Sequence, residues 1–72
     1  MYQDKDLLIQ LGRNIKAERV RRGYTQEVFA EKIGFTREYI SRIERGQENM
    51  SILKINNLAN VLEVEINNIL KF

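Results

Sequence analysis

Residues 26–46 read QEVFAEKIGFTREYISRIERG, and the spacing of small, apolar and capping residues in this stretch decides the fold. Thr25 precedes the first apolar residues and Gly34 follows them, which predicts a helix that Thr25 caps and Gly34 ends. Thr36 can cap another helix, and Gly46 can end it. The stretch therefore predicts two short helices joined by a tight turn.

The two helices fit a helix-turn-helix motif. Such a motif needs a small residue where the helices meet, a residue that tolerates a left-handed turn, and several apolar residues. Ala30 is the small residue and Gly34 lies in the turn. Ile40 and Ile43 point inward from the second helix. The remaining inner residues are Phe29, Ile33 and Phe35. The spacing predicts a helix-turn-helix over about residues 25–45.

A longer helix is predicted before this motif. It runs to about Arg22, with Asp4 or Asp6 as its cap and Gly23 at its end. Apolar residues recur in it every three or four positions and are expected to face inward: Leu7, Leu8, Leu11 and Ile15. Gly12 lies inside the helix, which indicates that another helix approaches it closely.

Two more helices are predicted after the motif. Ser51 can cap a fourth helix that runs to about Leu62, and a short fifth helix covers residues 66–70. The inward residues of the fourth helix are Ile55, Leu58, Ala59 and Leu62. The chain shows no strand pattern and no internal repeat. We therefore expect residues 1–72 to form a single all-α domain of five helices, the motif being formed by helices two and three.

Composition excludes several classes of protein. The 72 residues include no cysteine and no histidine, which excludes disulfides, thiol nucleophiles, imidazole bases and the usual zinc sites. No acid–base cluster and no glycine-rich phosphate loop appears. We therefore expect no enzyme activity, no metal, no cofactor and no small-molecule ligand. No apolar run approaches the roughly 18 residues of a membrane span, and the start MYQDKD is unlike a signal peptide. A cytoplasmic protein without membrane association is expected.

Charge is distributed unevenly along the chain. The net charge is +2, but residues 13–45 carry nine Lys or Arg against five Glu, whereas both ends are acidic. A basic segment that coincides with a helix-turn-helix is typical of a nucleic-acid-binding protein. Solvated lysines and arginines on helices are the ordinary alternative.

The residues QEVFAEKIGFTREYISRIERG resemble the lambda-repressor-like (Xre/Cro) family of bacterial and phage transcription regulators, and the resemblance extends over about residues 8–70. It implies a compact five-helix DNA-binding domain whose partner is a double-stranded DNA operator. Arg19 and Glu44 match positions where family members hold a partly buried ion pair, which would tie the first helix to the third. The alternative is two solvated charges.

The resemblance also implies that residues 36–45 form the recognition helix. Its outward or flanking residues are the candidates for base reading: Thr36, Arg37, Glu38, Tyr39, Ser41 and Arg42. An arginine can donate two hydrogen bonds to guanine, a glutamate can accept one from cytosine, and serine or threonine can bond either way. Arg37 is the first candidate because it lies in the first turn. Glu38 either rejects wrong sequences or is a solvated first-turn glutamate.

Phosphate contacts are implied around this helix, where they would hold the protein in register without reading sequence. The family's phosphate-contacting glutamine matches Gln26, and the residues at and after the end of the third helix are further candidates: Arg45, Gln47 and Asn49. Lys16, Arg21 or Arg22 could reach the backbone on the other side. Solvated surface residues are the alternative for each of them.

A closer resemblance concerns the run TREYISRIERGQENMSI, which looks like the restriction-modification controller proteins. These are small dimers that bind operators upstream of their own gene and the endonuclease gene, activating or repressing them. The matching residues are Arg37, Tyr39, Ile40, Ser41, Ile43, Glu44, Arg45 and Asn49. Glu38 stands where Thr is common in controllers, which leaves the operator sequence open.

Two other interpretations remain beside the controller. Generic Xre/Cro-type repressors share most of the same residues. An antitoxin that also binds a protein partner is the third interpretation, although antitoxins usually carry an extra segment and this chain ends at Phe72.

Activation is a further hypothesis that the resemblance suggests. Glu27 and Glu31 lie four residues apart on the outer face of the second helix, and activating family members use acidic residues there to contact RNA polymerase. Solvated glutamates are the ordinary alternative.

A homodimer on a pseudo-palindromic operator is expected, because one domain of this size makes too few contacts for a specific site. The candidate interface lies within about residues 50–72 and consists of Leu53, Val61, Ile66, Ile69 and Phe72. The alternative is that some of these residues complete the core. Glu63 stands where the family commonly ends helix four with Gly, and Glu65 stands where Ser commonly caps helix five. We expect a looser end to helix four and a weaker cap on helix five.

Overall fold

Five helices joined by short loops make up residues 3–72, which are the residues that the computed structural model describes. In chain order they are α1 (Asp4–Arg21), α2 (Gln26–Ile33), α3 (Arg37–Glu44), α4 (Ile52–Leu62) and α5 (Ile66–Ile69). No strand occurs within these 70 described positions, 3–72. The predicted all-α, five-helix fold is therefore confirmed, with α2 and α3 forming the helix-turn-helix.

Three helices begin at the hydroxyl side chains that the sequence predicts as caps. Thr25 accepts a hydrogen bond from the backbone N–H of Val28, and Thr36 accepts one from Tyr39, both at 3.1 Å. Ser51 caps α4 in the same way, with Lys54 as the donor at 3.1 Å. Each bond satisfies an amide that the first helical turn leaves without a partner.

The start of α1 differs from the prediction. Its N-cap residue is Gln3, which makes no side-chain capping hydrogen bond. Asp4 and Asp6, the predicted caps, lie inside the first turn instead. Their negative charges there still interact favourably with the positive end of the helix dipole.

A close crossing of α1 and α3 sets the position of α3. A methyl group on Gly12 would lie 2.4 Å from the carbonyl oxygen of Ile43 and 2.7 Å from that of Glu44. Because such distances are far below van der Waals contact, only glycine fits where the two backbones meet. The prediction that a helix approaches Gly12 closely is confirmed.

The turn between α2 and α3 depends on a second glycine. Gly34 has φ +84°, in the left-handed region that glycine adopts without steric cost. The N–H groups of Gly34 and Phe35 both donate to the carbonyl of Ala30 at 2.9 Å, which closes the end of α2. The chain then turns directly into α3.

The core lies between the helices and is almost entirely aliphatic. Its buried residues are Leu11, Ile15, Phe29, Ala30, Ile40, Ile43, Met50, Ile55, Leu58, Ala59, Leu62 and Ile69. Ile69 is fully buried, with an exposed fraction of 0%. Its assignment to the dimer interface is therefore wrong, because its side chain fills the core and cannot reach a surface contact.

The end of α4 and the start of α5 depart from the family pattern in two ways. Glu63 adopts the left-handed conformation at φ 58°, and the Val64 N–H still bonds the carbonyl of Ala59 at 3.0 Å. The helix end is therefore closed rather than loose, at the expense of backbone strain on a residue with a side chain. Glu65 makes no capping hydrogen bond, so the predicted weak cap of α5 is confirmed.

One side chain of α1, that of Asn14, hydrogen-bonds the C-terminal segment. The amide nitrogen of Asn14 donates to the carbonyls of Ile69 and Lys71, both at 2.8 Å. These bonds satisfy carbonyls that a helix end leaves without partners. No helix among residues 3–72 is long and apolar enough to cross a membrane.

Candidate nucleic-acid interface

The outer face of α3 carries charged side chains on a rigidly held helix. Ile40 and Ile43 anchor the helix with exposed fractions of 0% and 2%. Arg37 and Glu38 are exposed in its first turn, and the side chain of neither makes a hydrogen bond or ion pair with any of residues 3–72. Ser41, one turn further along, is half-buried. The structure therefore places the side-chain donors of Arg37 where none of residues 3–72 satisfies them.

Arg42, another predicted base reader, is already engaged by the protein. Its Nε donates to Oε2 of Glu48 at 2.8 Å, and its guanidinium carbon lies 5.5 Å from the centroid of the Tyr39 ring. The distance to the ring is within the range of a cation–π contact. Sequence reasoning missed Glu48, because it lies in the loop after α3, where helical spacing no longer indicates which residues meet.

The side chain of Tyr39 is held by contacts with two other residues, Phe35 and Lys54. Its ring packs edge-on against Phe35, with centroids 4.8 Å apart and planes at 89°. Its hydroxyl accepts a hydrogen bond from Nζ of Lys54 at 2.9 Å, and the same ammonium lies 5.0 Å from the ring centroid. Lys54, on α4, was also missed by sequence reasoning, since it is distant in sequence from α3.

The Arg19–Glu44 ion pair fixes α3 to α1. The Nε of Arg19 lies 2.6 Å from Oε2 of Glu44, and its second terminal nitrogen lies 3.1 Å from Oε1. Both residues are buried, at 8% exposed each, and Arg19 also donates to the carbonyl of Tyr24 at 2.7 Å. The bidentate geometry satisfies both charges away from water.

Two of the predicted phosphate-contacting residues, Gln26 and Arg45, lie beside this pair. Gln26 is the first residue of α2, and its Nε2 donates to Oε1 of Glu44 at 3.0 Å. This bond brings the start of α2 next to the end of α3. Arg45 follows there as the C-cap residue of α3, and it is exposed together with Gln47 and Asn49. Gln26 and Arg45 therefore lie at the end of α3, whereas Asn49 lines a pocket near the start of α1.

The basic residues at the end of α1 have partners within the chain. Arg21 pairs with Glu18 at 2.9 Å, and Arg22 hydrogen-bonds Glu63. The hydrogen bond to Glu63 raises the pKa of Arg22 above its ordinary value. Lys16 is exposed on the same helix. A phosphate contact by Arg21 or Arg22 would have to compete with a glutamate.

Two other sets of predicted residues lie outside α3. Glu27 and Glu31 are both exposed on α2, one helical turn apart. Among the predicted interface residues, Leu53 is 75% exposed and Phe72 is 49% exposed, whereas Val61 and Ile66 are half-buried. Ile52, which sequence reasoning did not assign to any surface, is 56% exposed.

The fold and the charged outer face of α3 define a helix-turn-helix DNA-binding protein. Residues 15–69 match the family model HTH_3, described as helix-turn-helix, and the chain belongs to this family. The resemblance to lambda-repressor-like regulators is thereby confirmed. The members of the family are DNA-binding transcription regulators and not enzymes.

Three relatives show how far the similarity extends. The uncharacterized HTH-type transcriptional regulator YazB of Bacillus subtilis is 42% identical over 53 residues, which is 74% of this chain and 77% of YazB. The restriction-modification controller protein C.AhdI from Aeromonas hydrophila is 34% identical with a TM-score of 0.81, covering 86% of this chain and 94% of the controller.

The third relative, SinR, has been solved as the master regulator for biofilm formation in complex with DNA. That structure is 35% identical with a TM-score of 0.77, covering 85% of this chain and 98% of the solved chain. The curated Bacillus subtilis SinR sequence is 38% identical over 61 residues, or 83% of this chain and 55% of SinR. The chain spans between 55% and 77% of the length of the curated relatives it matches.

Proposed function

We propose that this protein regulates transcription by binding specific pseudo-palindromic operators as a homodimer. The observation that carries the proposal is the outer face of α3. Arg37 and Glu38 are exposed there without partners among residues 3–72, while Ile40 and Ile43 hold the helix in place from the other side. Direct readout of base edges requires side chains that a rigid helix holds in place and whose hydrogen-bonding groups are free to contact DNA.

Arg37 is the principal base-reading residue in this proposal. Its position in the first turn of α3 takes it deepest into the major groove, where a guanidinium donates two hydrogen bonds to guanine. Glu38 accepts a hydrogen bond from cytosine or repels sequences that do not offer one. Thr36 and Ser41 supply hydroxyl groups at the ends of this face.

Phosphate contacts hold the helix in register. Gln26 has one amide hydrogen left after its bond to Glu44, and it lies beside the free backbone amides at the start of α2. Arg45 adds a positive charge at the end of α3, where Gln47 and Asn49 add neutral donors. A protein that binds in this way loses affinity steeply as salt rises, because each neutralised phosphate releases counterions.

Dimerisation places two copies of α3 in successive major grooves, about 34 Å apart. We assign the contact to the apolar residues that remain exposed or half-exposed near the C-terminus: Leu53, Val61, Ile66 and Phe72. Burying the 75% exposed side chain of Leu53 in each protomer would contribute about 1.5–3 kcal/mol per copy.

The regulatory context follows the controller proteins. The similarity to C.AhdI, which covers 94% of that chain, supports a controller that autoregulates its own promoter and the endonuclease gene. The similarity to SinR supports a generic repressor as the second candidate. Genes for a methyltransferase and an endonuclease beside this one would support the controller, whereas their absence would favour the repressor.

Activation by this protein would use the outer face of α2. Glu27 and Glu31 are exposed on α2 and are not part of α3, so a polymerase contact at these residues would leave α3 available to DNA. Reversing both charges to lysine should leave operator binding intact and lower activated transcription in a reporter assay. Unchanged activation would remove these residues from the contact.

Selection of bound sequences from a random duplex library tests the proposal without a known operator. Wild-type protein should enrich one pseudo-palindromic motif, and the motif should occur upstream of its own gene. Binding to the enriched duplex should weaken strongly between about 50 and 200 mM salt. Enrichment of no motif would refute the function, and a motif absent from that upstream DNA would refute autoregulation.

A further inference from the structure

We propose that Glu48 is a positioning residue that determines specificity through Arg42, an inference that rests on the proposed DNA-binding function. Glu48 accepts a hydrogen bond from Nε of Arg42, and this bond directs the two terminal nitrogens of the guanidinium to a base edge. The carboxylate also reduces the attraction of Arg42 to phosphates. Glu48 thus favours the operator over other DNA.

The first step is that Glu48 itself is fixed. It lies in the loop after α3 between two residues, Gln47 and Met50, that are held by other parts of the protein. The N–H of Gln47 donates to the carbonyl of Arg42 at 2.9 Å, and Met50 is buried in the core at 9% exposed. The side chain of Glu48 is 26% exposed and bonds Arg42 at 2.8 Å. The loop therefore brings this carboxylate back beside the recognition helix.

The second step is that the guanidinium of Arg42 is held at two places. Its Nε is bonded to Glu48, and its flat face lies 5.5 Å from the Tyr39 ring centroid. The ring is itself fixed by its edge-on contact with Phe35 and by the hydrogen bond from Lys54. Both contacts restrict the rotamers of a side chain that would otherwise move freely in solvent.

The third step concerns the donors that remain. Within residues 3–72 the two terminal nitrogens of Arg42 bond no acceptor, and its side chain is 43% exposed. A guanidinium has five donors, so the bond at Nε leaves four on these two nitrogens. Two parallel N–H groups match O6 and N7 of guanine. Because the arginine is already ordered, binding a base loses less conformational entropy.

The fourth step is electrostatic. A phosphate attracts the charge of an arginine whatever the sequence, and Glu48 offsets that charge. An arginine that is partly neutralised and fixed in direction gains more from the matching base than from an arbitrary phosphate. Glu48 therefore lowers binding to non-operator DNA while it supports base readout.

Selection from a random 20-bp duplex library, followed by titration of the enriched duplex and of a scrambled duplex, tests this role. Wild type, Glu48→Ala, Arg42→Ala and the double variant are compared. Glu48→Ala should relax the base preference at one position per half-site by about tenfold and tighten binding to the scrambled duplex. In the Arg42→Ala background, Glu48→Ala should relax no further position.

A matched control separates this role from a general change of charge. Glu65 is exposed and makes no capping bond, so Glu65→Ala removes the same charge away from α3. It should leave the base preference unchanged. All variants should unfold at nearly the wild-type urea concentration, because exposed ion pairs contribute little to stability.

The outcomes distinguish this inference from the function on which it rests. If wild type enriches a motif and Glu48→Ala enriches the same motif with the same preferences, the role of Glu48 is refuted and the function stands. If Glu48→Ala causes the same loss of base preference in the Arg42→Ala background as in wild type, the role of Glu48 is also refuted, since Glu48 would then act without Arg42. If wild type enriches no motif, both the function and this inference fail.

Discussion

Replacing Glu44 with alanine should destabilise the protein far more than replacing Glu48 with alanine. The carboxylate of Glu44, whose side chain is 3% exposed, accepts two hydrogen bonds from Arg19 and one from Gln26. In Glu44→Ala the buried guanidinium of Arg19 retains, among residues 3–72, only the carbonyl of Tyr24 as a partner. The variant therefore leaves a charge buried without its counterion.

The magnitude follows from that burial. Removing one partner of a buried ion pair costs about 3–5 kcal/mol, whereas an exposed pair contributes about 0–1 kcal/mol. The matched control is Glu48→Ala, since Glu48 pairs with Arg42 at the surface, where the two side chains are 26% and 43% exposed. For a chain of this size each kcal/mol corresponds to roughly 4–8 °C in Tm. Glu44→Ala should therefore lower the Tm by at least about 12 °C.

Urea unfolding followed by circular dichroism measures the free energies of unfolding of both variants. A third variant, combining Arg19→Met with Glu44→Leu, removes both charges and keeps the volume. It should recover most of the stability that Glu44→Ala loses, because a buried pair replaced by apolar residues of similar volume is often neutral. Equal losses in Glu44→Ala and Glu48→Ala would refute the reasoning, and so would a double variant no more stable than Glu44→Ala.

Three further predictions concern helix packing, a helix end and the dimer. Gly12→Ala should cost at least about 1–3 kcal/mol of unfolding free energy, since the added methyl would lie 2.4 Å from the Ile43 carbonyl oxygen; wild-type stability in urea would contradict the close crossing. Glu63→Gly should add about 0.5–1 kcal/mol by relieving the strain at φ 58°, and a lower urea midpoint would contradict that account. Leu53→Asp should raise the dimer dissociation constant, measured by sedimentation, at least about tenfold. Val20→Asp, the control at another exposed apolar residue, should leave that constant unchanged. A wild-type protein that is only monomeric at micromolar concentration would exclude the interface.

The parts of the fold that the sequence predicts well are those that depend on local chemistry. Thr25 and Thr36 are hydroxyl residues directly before apolar periodic segments, and both cap helices as expected. Gly12 was correctly interpreted as a close approach, because a glycine inside a helix is costly unless something needs the space. The position of the helix-turn-helix follows from these features.

The parts that the sequence predicts poorly depend on contacts between distant segments. Ile69 resembles any apolar residue of a short terminal helix, and only the packing of α5 against α1 shows that it is in the core. Arg42 has the spacing of an outward residue, but its pairing with Glu48 depends on how the following loop turns back. Lys54, near the start of α4, hydrogen-bonds Tyr39 although the two residues are 15 positions apart in the sequence. No local pattern indicates these contacts.

The central claim is that the outer face of α3 reads DNA sequence, and titration of single-base variants of the enriched operator tests it most directly. Arg37→Ala should lose discrimination at one base pair per half-site, worth about 1–3 kcal/mol. Arg45→Ala, the control, should weaken binding to all duplexes alike and reduce the salt slope by about one. Unchanged discrimination in Arg37→Ala at every base pair would contradict the claim.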